Sequence, residues 1–496
     1  MEMEIKSLSR NQVWELSELP SGRKAIGSKW VFKRKLDADG NLDRYKARLV
    51  AQGYNQKYGI DYDETFCPVV RFESVRALIA LAVKHGLQLH QLDVTTAFLN
   101  GELKEEIYMK QPEAFEINEN KNLVCKLKRS IYGLKQSSRC WNEALDKHLK
   151  ELGFKQSQND PCIYILNSGG ETFVIAVYVD DILLAGKTSK DIQKYIDAIA
   201  DKFDVTDMGK LHHFVGIKIK YLPDGKIWIG QPAYVRKVLK KFEMDNCKSV
   251  ASPVESGTKL IKGKDGDQLV DQELYQSAVG SLLYLSTKTQ PDIAFAVGNV
   301  ARFSSKPTKF HWTAVKRIMR YLSGTLDHGL LYQNGDSITG YSDADWAGDQ
   351  NDRKSTSGFV FMMSGAAVSW NSKKQTCVAL STAEAEYIAL SKAAQESIWL
   401  QRLIMDMNEI LSSPIIIFED NQSTITMTKN NQHHGRAKHI DIKYHFIREM
   451  VTMNKIELKY CRSDEMIADI LTKGMSKIQF EKLRNLIGLI DVSDCE

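Results

Sequence analysis

No run of about 20 apolar residues occurs anywhere in the 496-residue chain, so an α-helical membrane span is not expected. Cysteine is scattered: Cys67, Cys125, Cys140, Cys162, Cys247, Cys377, Cys461 and Cys495 form no C-x-x-C pair. Neither a disulfide framework nor a zinc ribbon is therefore predicted, and reduced thiols are. Internal repeats and low-complexity tracts are also missing. The opening Met1-Glu2-Met3-Glu4-Ile5-Lys6 is polar and acidic rather than basic then apolar. It lacks the layout of a secretory signal, and an intracellular protein is the expectation.

What is present is the composition of a globular protein, 43% hydrophobic and 26% charged. At about 150 residues per domain the length suggests roughly three folding units. The net charge of +5 is modest but uneven: ten Lys/Arg stand against three Asp/Glu between Gly22 and Ile60. Trp30, Phe32, Tyr45, Tyr54 and Tyr58 are interleaved with those cations. Such a patch suits a phosphate backbone and stackable bases, although a solvated basic face has the same composition.

From Trp14 to about Phe242 short apolar strands, such as Lys29 to Phe32 and Phe173 to Val179, mix with helical periodicity in Val75 to His85 and Trp141 to Leu149. That is an α+β pattern. A turn-rich stretch, Ser249 to Gly257, and the polar Lys262-Gly263-Lys264-Asp265-Gly266-Asp267 mark a linker. Three amphipathic helices are predicted after it, over Leu274 to Thr287, Asp292 to Ser304 and His311 to Ser323. A new α/β pattern begins near Gly335. The resulting division is 11–248, a connection at 249–334, and a C-terminal domain at 335–478.

Asp180 and Asp181 stand side by side between two apolar runs, at the predicted tip of a β-hairpin. Two like charges beside a buried ribbon cost stability, and a divalent cation bound by hard oxygens would offset that cost. The plainer reading is that aspartate decorates the turn, where it tolerates left-handed backbone. Asp93, closing the strand-like Leu87 to Leu92, is the candidate third carboxylate.

Downstream, Ile131-Tyr132-Gly133-Leu134-Lys135-Gln136-Ser137-Ser138-Arg139-Cys140-Trp141 combines a glycine turn with a helix whose first turns carry Lys, Gln and Arg. The order of the Asp93 block, the Gly133-to-Arg139 block and Tyr178-Val179-Asp180-Asp181 resembles the palm of a reverse transcriptase. More closely, Tyr45 to Gly53, Asp61 to Phe66, Gln91 to Gly101 and Met208-Gly209-Lys210-Leu211 resemble the copia-type long-terminal-repeat retrotransposon polyprotein, nearly end to end. The resemblance implies fingers, palm and thumb, with Asp93, Asp180 and Asp181 as metal-binding catalytic residues. It implies that Lys46 and Arg48 approach a nucleoside triphosphate, that Gln136 lines the nucleotide pocket, and that Arg139 is a further candidate. Phe98, five residues after Asp93, falls where the family places a ring against the sugar, so that a 2′-hydroxyl would clash; the competing reading is a core aromatic. Ser138 replaces a proline common in relatives; it loosens that turn and removes no ligand.

The C-terminal domain has its own acids. Ile338 to Trp346 reads as a strand ending in carboxylates, followed by strand-like Gly358 to Met363 and Ala367 to Trp370. Ser381-Thr382-Ala383-Glu384 matches a capping box opening a helix through about Leu403, which places Glu386 in its first turns. The run Ile415 to Phe418 delivers Asp420, and Asp469 falls on a short helix, Glu465 to Lys473. Asp343, Glu386, Asp420 and Asp469 in this order resemble ribonuclease H. Converging carboxylates imply Mg²⁺, two ions per site, with Mn²⁺ as the alternative. Asp345, Glu384 and Asp349 are assigned surface roles. A zinc site at His433 to His445 is set aside, because no cysteine pair accompanies it and the spacing fits no common finger; contact with nucleic acid suits that basic loop better.

The expectation is a polymerase that copies RNA into DNA and a nuclease that degrades the RNA of the hybrid. Its partners would be an RNA template, a DNA primer, deoxynucleoside triphosphates and the RNA–DNA hybrid, with no membrane. The expected location is the cytoplasm, in virus-like particles, with nuclear entry to follow. Protease, integrase and nucleocapsid parts are absent, which suggests a fragment, a processed product or a degenerate copy. The competing reading, a domesticated or inactive remnant that holds nucleic acid without turnover, is opposed by intact acids at both sites. No oligomeric state is read from the sequence.

Overall fold

The computed structural model describes residues 1–36, 42–116, 122–335, 337–411, 414–429 and 441–495. The histidine-rich stretch set aside as a zinc site lies outside the described residues through position 440. Helices and sheets are mixed throughout, as the α+β pattern predicts. Among the described residues no helix is long and apolar enough to cross a membrane. Two compact units form, Met1–Val70 with His90–Gly209, and Arg71–Leu89 with Lys210–Glu496. They cut across the sequence segments 11–248, 249–334 and 335–478.

In the first unit a six-stranded sheet runs in the order Val205–Lys210, Gln88–Val94, Asp181–Gly186, Glu171–Tyr178, Ile163–Ser168, Lys155–Gln156. Its centre is the antiparallel pair that carries the two aspartates, in register from Asp181 opposite Tyr178 to Ala185 opposite Val174. Phe173 through Val177 and Ile182 through Ala185 are all buried, so both faces of this ribbon are covered. Each such aliphatic side chain contributes about 1.5–3 kcal/mol on burial, and this fixes the turn between the strands. The helix Ser137–Glu151 buries Trp141, Leu145 and Leu149, a four-residue spacing that puts all three on one face. Apart from these, Ser28–Leu36 and Leu42–Ala51 form a two-stranded basic hairpin with Phe32 and Tyr45 exposed.

The second unit contains the helices Gln272–Lys288, Ala294–Ala301 and Lys309–Ser323. The middle one is shorter than its pattern predicts, because Pro291 opens a separate 3₁₀ turn, Pro291–Ile293, ahead of it. The helix Phe72–His85 belongs here for a specific reason. Arg76 on it is 1% exposed, donates to the carbonyls of Val368 (2.7 Å), Thr287 (3.0 Å) and Lys288 (2.8 Å), and lies 3.9 Å from the Trp370 ring centroid. A guanidinium stays buried only with its donors matched, and these partners all come from the same unit.

The C-terminal sheet has the order Ala366–Lys374, Thr356–Met363, Thr339–Asp345, Ile415–Glu419, Ile456–Tyr460. The first three strands are antiparallel, and Ile415–Glu419 is parallel to both its neighbours. A parallel return requires a crossover, supplied by the 25-residue helix Thr382–Asp406. Ser381 caps it by accepting from the Glu384 N–H at 3.2 Å. The Glu384 carboxylate reaches back to the Leu380 N–H (2.7 Å), a looser form of the predicted box.

Candidate active sites

Tyr178 pairs with Asp181, which leaves Val179 and Asp180 as a two-residue loop. Val179 has φ 58°, a left-handed value at the first loop position of the kind a type II′ turn requires. A β-branched residue resists that conformation. The carbonyl of Val179 accepts from the Trp141 indole at 2.7 Å, which pins the tip to the buried helix. On the neighbouring strand, the Val94 N–H donates to the Asp180 carbonyl (2.9 Å), and Gln91 donates to the Asp181 carboxylate (3.1 Å). Burial raises the Asp181 carboxyl; the Gln91 bond opposes that, and the charges of Asp180 and Asp93 add to it. The three predicted acids thus share one electrostatic neighbourhood.

Around this tip, Arg48 stands 4.4 Å over the Tyr132 ring, and Phe98 meets the same ring edge-on at 5.3 Å. Phe98 lies in a 3₁₀ turn, Ala97–Asn100, and is only half-buried. Lys46 is two residues from Arg48 on the same strand, hence on the same face. Arg139 pairs with Glu143 (2.9 Å) and donates to the Glu64 carbonyl (3.2 Å). Gln136 departs from its sequence assignment. It is 0% exposed, donates to the Asp61 carbonyl (2.8 Å) and accepts from Gln56 (3.0 Å). A buried amide must satisfy both its ends, so here Gln136 braces the Gln56–Asp61 loop instead of lining an open pocket. Gly133 has a steric cause: a Cβ there would lie 2.2 Å from the Ala51 carbonyl oxygen.

In the second unit, Asp343 lies near the end of the strand Thr339–Asp345, Asp420 follows the parallel strand beside it, and Glu386 faces them from the capped helix. Parallel strands deliver their carboxyl ends to one side of a sheet, which is why residues 77 positions apart meet. Among the described residues these three form one group whose ligand oxygens all lie within 4.8 Å of one another. The hairpin acids are not drawn together so tightly. Asp469, on a 3₁₀ turn Ile467–Leu471 rather than the predicted α-helix, joins the group through Asp343. Burial first and the Asp343 charge second push the Asp469 carboxyl up to about 8, and a side-chain hydrogen bond links it to Asp343. Burial also raises Asp343 and, with the charges of Asp343 and Glu419, holds Glu386 well above the carboxylate range. Asp420 accepts from the Ser463 hydroxyl at 2.7 Å.

Three neighbours of this group escape sequence reasoning. Thr472 donates to Asp343; Lys473 lies 2.8 Å from Asp469 and 4.0 Å from Asp343; Glu419 is fully buried beside them. The i, i+4 spacing of Asp469 and Lys473 was the one available signal. Gly358, opposite Asp343, admits this packing, since a Cβ there would sit 2.7 Å from the Thr472 methyl. The surface roles of two acids are corrected. Asp349 is buried, 2.5 Å from Lys374 and 3.2 Å from Arg302, and Glu384 is a buried capping group. Asp345 is half-buried and pairs with Lys259 at 3.3 Å.

The residues fit a divalent cation. Glu386 Oε2 and Glu419 Oε2 are buried without a donor. Two oxygens on one Mg²⁺ are at most about 4.2 Å apart, and the oxygens of Asp343, Glu386 and Asp420 all lie within 4.8 Å of one another.

Residues 11–256 match the family described as reverse transcriptase (RNA-dependent DNA polymerase). A transposon Ty5-1 protein of Saccharomyces cerevisiae is 33% identical over 308 residues, which is 62% of this chain and all of that protein. The retrovirus-related Pol polyprotein from transposon TNT 1-94 of Nicotiana tabacum is 44% identical over 99% of this chain and 37% of its own length. The chain belongs to the copia-type retrotransposon Pol family. It spans about a third of the length of the curated Pol relatives from Nicotiana tabacum and Arabidopsis thaliana. Among solved structures, a foamy viral protease-reverse transcriptase in complex with double-stranded DNA covers 93% of this chain and is itself covered to 70%, with a TM-score of 0.50 at 12% identity. That likeness concerns the fold. This Pol chain thus combines a reverse-transcriptase domain with a C-terminal five-stranded mixed sheet.

Proposed function

We propose that this Pol chain is an RNA-directed DNA polymerase and a hybrid-specific ribonuclease, with 11–248 carrying the first activity, 335–478 the second, and 249–334 connecting them. The observation that carries this reading is the carboxylate group itself: Asp343, Glu386 and Asp420 are gathered within 4.8 Å in a buried site, with an acceptor oxygen left unmatched. Evolution tolerates such repulsion where a cation is to be bound.

Asp343, Glu386, Asp420 and Asp469 would hold Mg²⁺ or Mn²⁺ at the nuclease site, and Asp93, Asp180 and Asp181 at the polymerase site. When bound, such ions neutralise phosphate charge and lower the pKa of the attacking group, a water at one site and a primer 3′-hydroxyl at the other. The protein's own share is positioning. Val179 and Trp141 fix the tip that presents Asp180, and Gln91 orients Asp181. Lys46 and Arg48 receive the triphosphate of a deoxynucleotide, and the half-buried Phe98 ring bounds its sugar. An RNA template with a DNA primer, and then the hybrid, are the macromolecular partners; the likeness to a fold solved with double-stranded DNA supports a duplex.

Primer extension on an RNA template with Mg²⁺ tests the reading. Incorporation that stops on chelation is the expected result. Binding of the primed template without incorporation would favour the non-catalytic remnant.

A further inference from the structure

The segment 130–133 ties two parts of the polymerase site together. At one end, Ser130 donates its hydroxyl to the Phe98 carbonyl and its N–H to the Gly101 carbonyl (2.8 Å). At the other, the Ala51 N–H donates to the Tyr132 carbonyl (2.8 Å), which registers the segment against the strand that carries Lys46 and Arg48. Gly133 permits this approach, since any Cβ there would collide with Ala51. Tyr132 stands between these anchors and is only half-buried. One ring therefore meets the Arg48 guanidinium over its face at 4.4 Å and the Phe98 ring at its side at 5.3 Å, 64° between planes. Both contacts have favourable geometry: cation over π-face, and rings edge to face. Asp180 and Asp93 are close enough to act electrostatically on the same phenol.

We infer that Tyr132 is a positioning residue that couples the triphosphate-binding Arg48 to the sugar-facing Phe98, so that nucleotide affinity and rejection of ribonucleotides are set together by one ring. The inference rests on the polymerase reading above and adds a residue that acts through Arg48 and Phe98. Its contribution comes from the ring and not from the hydroxyl. Without the ring, Arg48 regains its rotamers and Phe98 loses the wall that keeps it upright.

The test uses the full chain, a primed RNA template and Mg²⁺, with dATP and ATP as competing nucleotides opposite uridine. Tyr132→Met conserves bulk and removes the π-face. It should raise the KM for dATP about tenfold, lower the preference for dATP over ATP by a similar factor, and change kcat little. Tyr132→Phe should restore both quantities. In the double variant with Phe98→Leu, the losses of discrimination should fail to add, because both changes remove the same wall. A folded Tyr132→Met chain with unchanged KM and discrimination, or strictly additive losses, would overturn the inference. Should Tyr132→Met not fold, Arg48→Lys serves, since it lifts the cation off the ring without touching the sugar: discrimination should fall with affinity, and unaltered discrimination refutes the coupling. Failure of the unmodified chain to extend any primer would instead refute the polymerase reading itself.

Discussion

At the hairpin tip, Asp180 and Asp181 are neighbours in sequence on a strained two-residue turn, half-open to solvent, with Asp93 alongside. In the C-terminal sheet, Asp343, Glu386 and Asp420 come from two strand ends and a helix, lie within 4.8 Å, and are largely buried. The first arrangement limits repulsion by exposure and by looser spacing. The second keeps the acids together in a largely buried site, with the Asp469 carboxyl pushed up to about 8 and Lys473 beside it. On the proposed reading the hairpin site must admit a duplex and a free triphosphate, so openness suits it. On the proposed reading the C-terminal site has to receive one strand of a duplex, and a largely buried cluster suits that. The contrast teaches that carboxylates can be gathered by turn geometry in one place and by sheet topology in another.

The largest effect expected from breaking this contrast is at the tip. Asp180→Asn should reduce primer extension by about a thousandfold or more, because several kcal/mol of charge stabilisation go with one ligand; single-turnover incorporation measures it. Asp349→Asn comes next and acts on stability. Burial would raise the Asp349 carboxyl, but the Lys374 and Asn351 contacts outweigh it and hold it at about 2. Removing the charge takes from Arg302 its paired carboxylate and leaves Lys374 with Asp352 alone, and should cost about 3 kcal/mol, read by denaturant melts. Because the folded value lies below the unfolded one, this contribution is complete above about pH 4 and is lost as the pH falls through about 2. The Asn variant should therefore be flatter over that window.

Glu386→Gln should have the opposite sign. Its carboxyl is held above the usual range, so it lowers stability increasingly as the pH climbs past the unfolded value toward the folded one. Without metal the variant should melt a few degrees higher, about 2–4 °C per kcal/mol in a unit of this size, and Mg²⁺ should raise its melting temperature less than it raises that of the unmodified chain. The smallest effect is at Val179. Val179→Gly relieves the φ of 58° and should stabilise the hairpin by about 1 kcal/mol, while extension falls several-fold because a freer tip presents Asp180 less firmly.

Much of this was legible locally. The aspartate hairpin follows from adjacent apolar runs around a turn, and the Ser381 cap and the run Ile415 to Phe418 locate Glu386 and Asp420 without a structure. What escaped depends on distant partners. Gln136 is buried because Gln56, 80 residues away, and the Asp61 carbonyl meet its amide. Asp349 lies in an acid- and turn-rich stretch that reads as surface until Lys374 and Arg302 close over it. Helix Phe72–His85 reads as part of the polymerase, yet Arg76 anchors it among residues from 287 to 370. Two glycines show the same dependence on distant segments: Gly133 and Gly358 both stand where another chain segment passes too close for a Cβ.

The central claim is that two separate carboxylate groups serve two separate reactions. Its most direct test assays Asp180→Asn and Glu386→Gln each for both extension on an RNA template and cleavage of a labelled RNA–DNA hybrid. The account predicts a crossed result, extension lost and cleavage kept in the first, cleavage lost and extension kept in the second. Joint loss or joint survival of the two activities in both folded variants would contradict it.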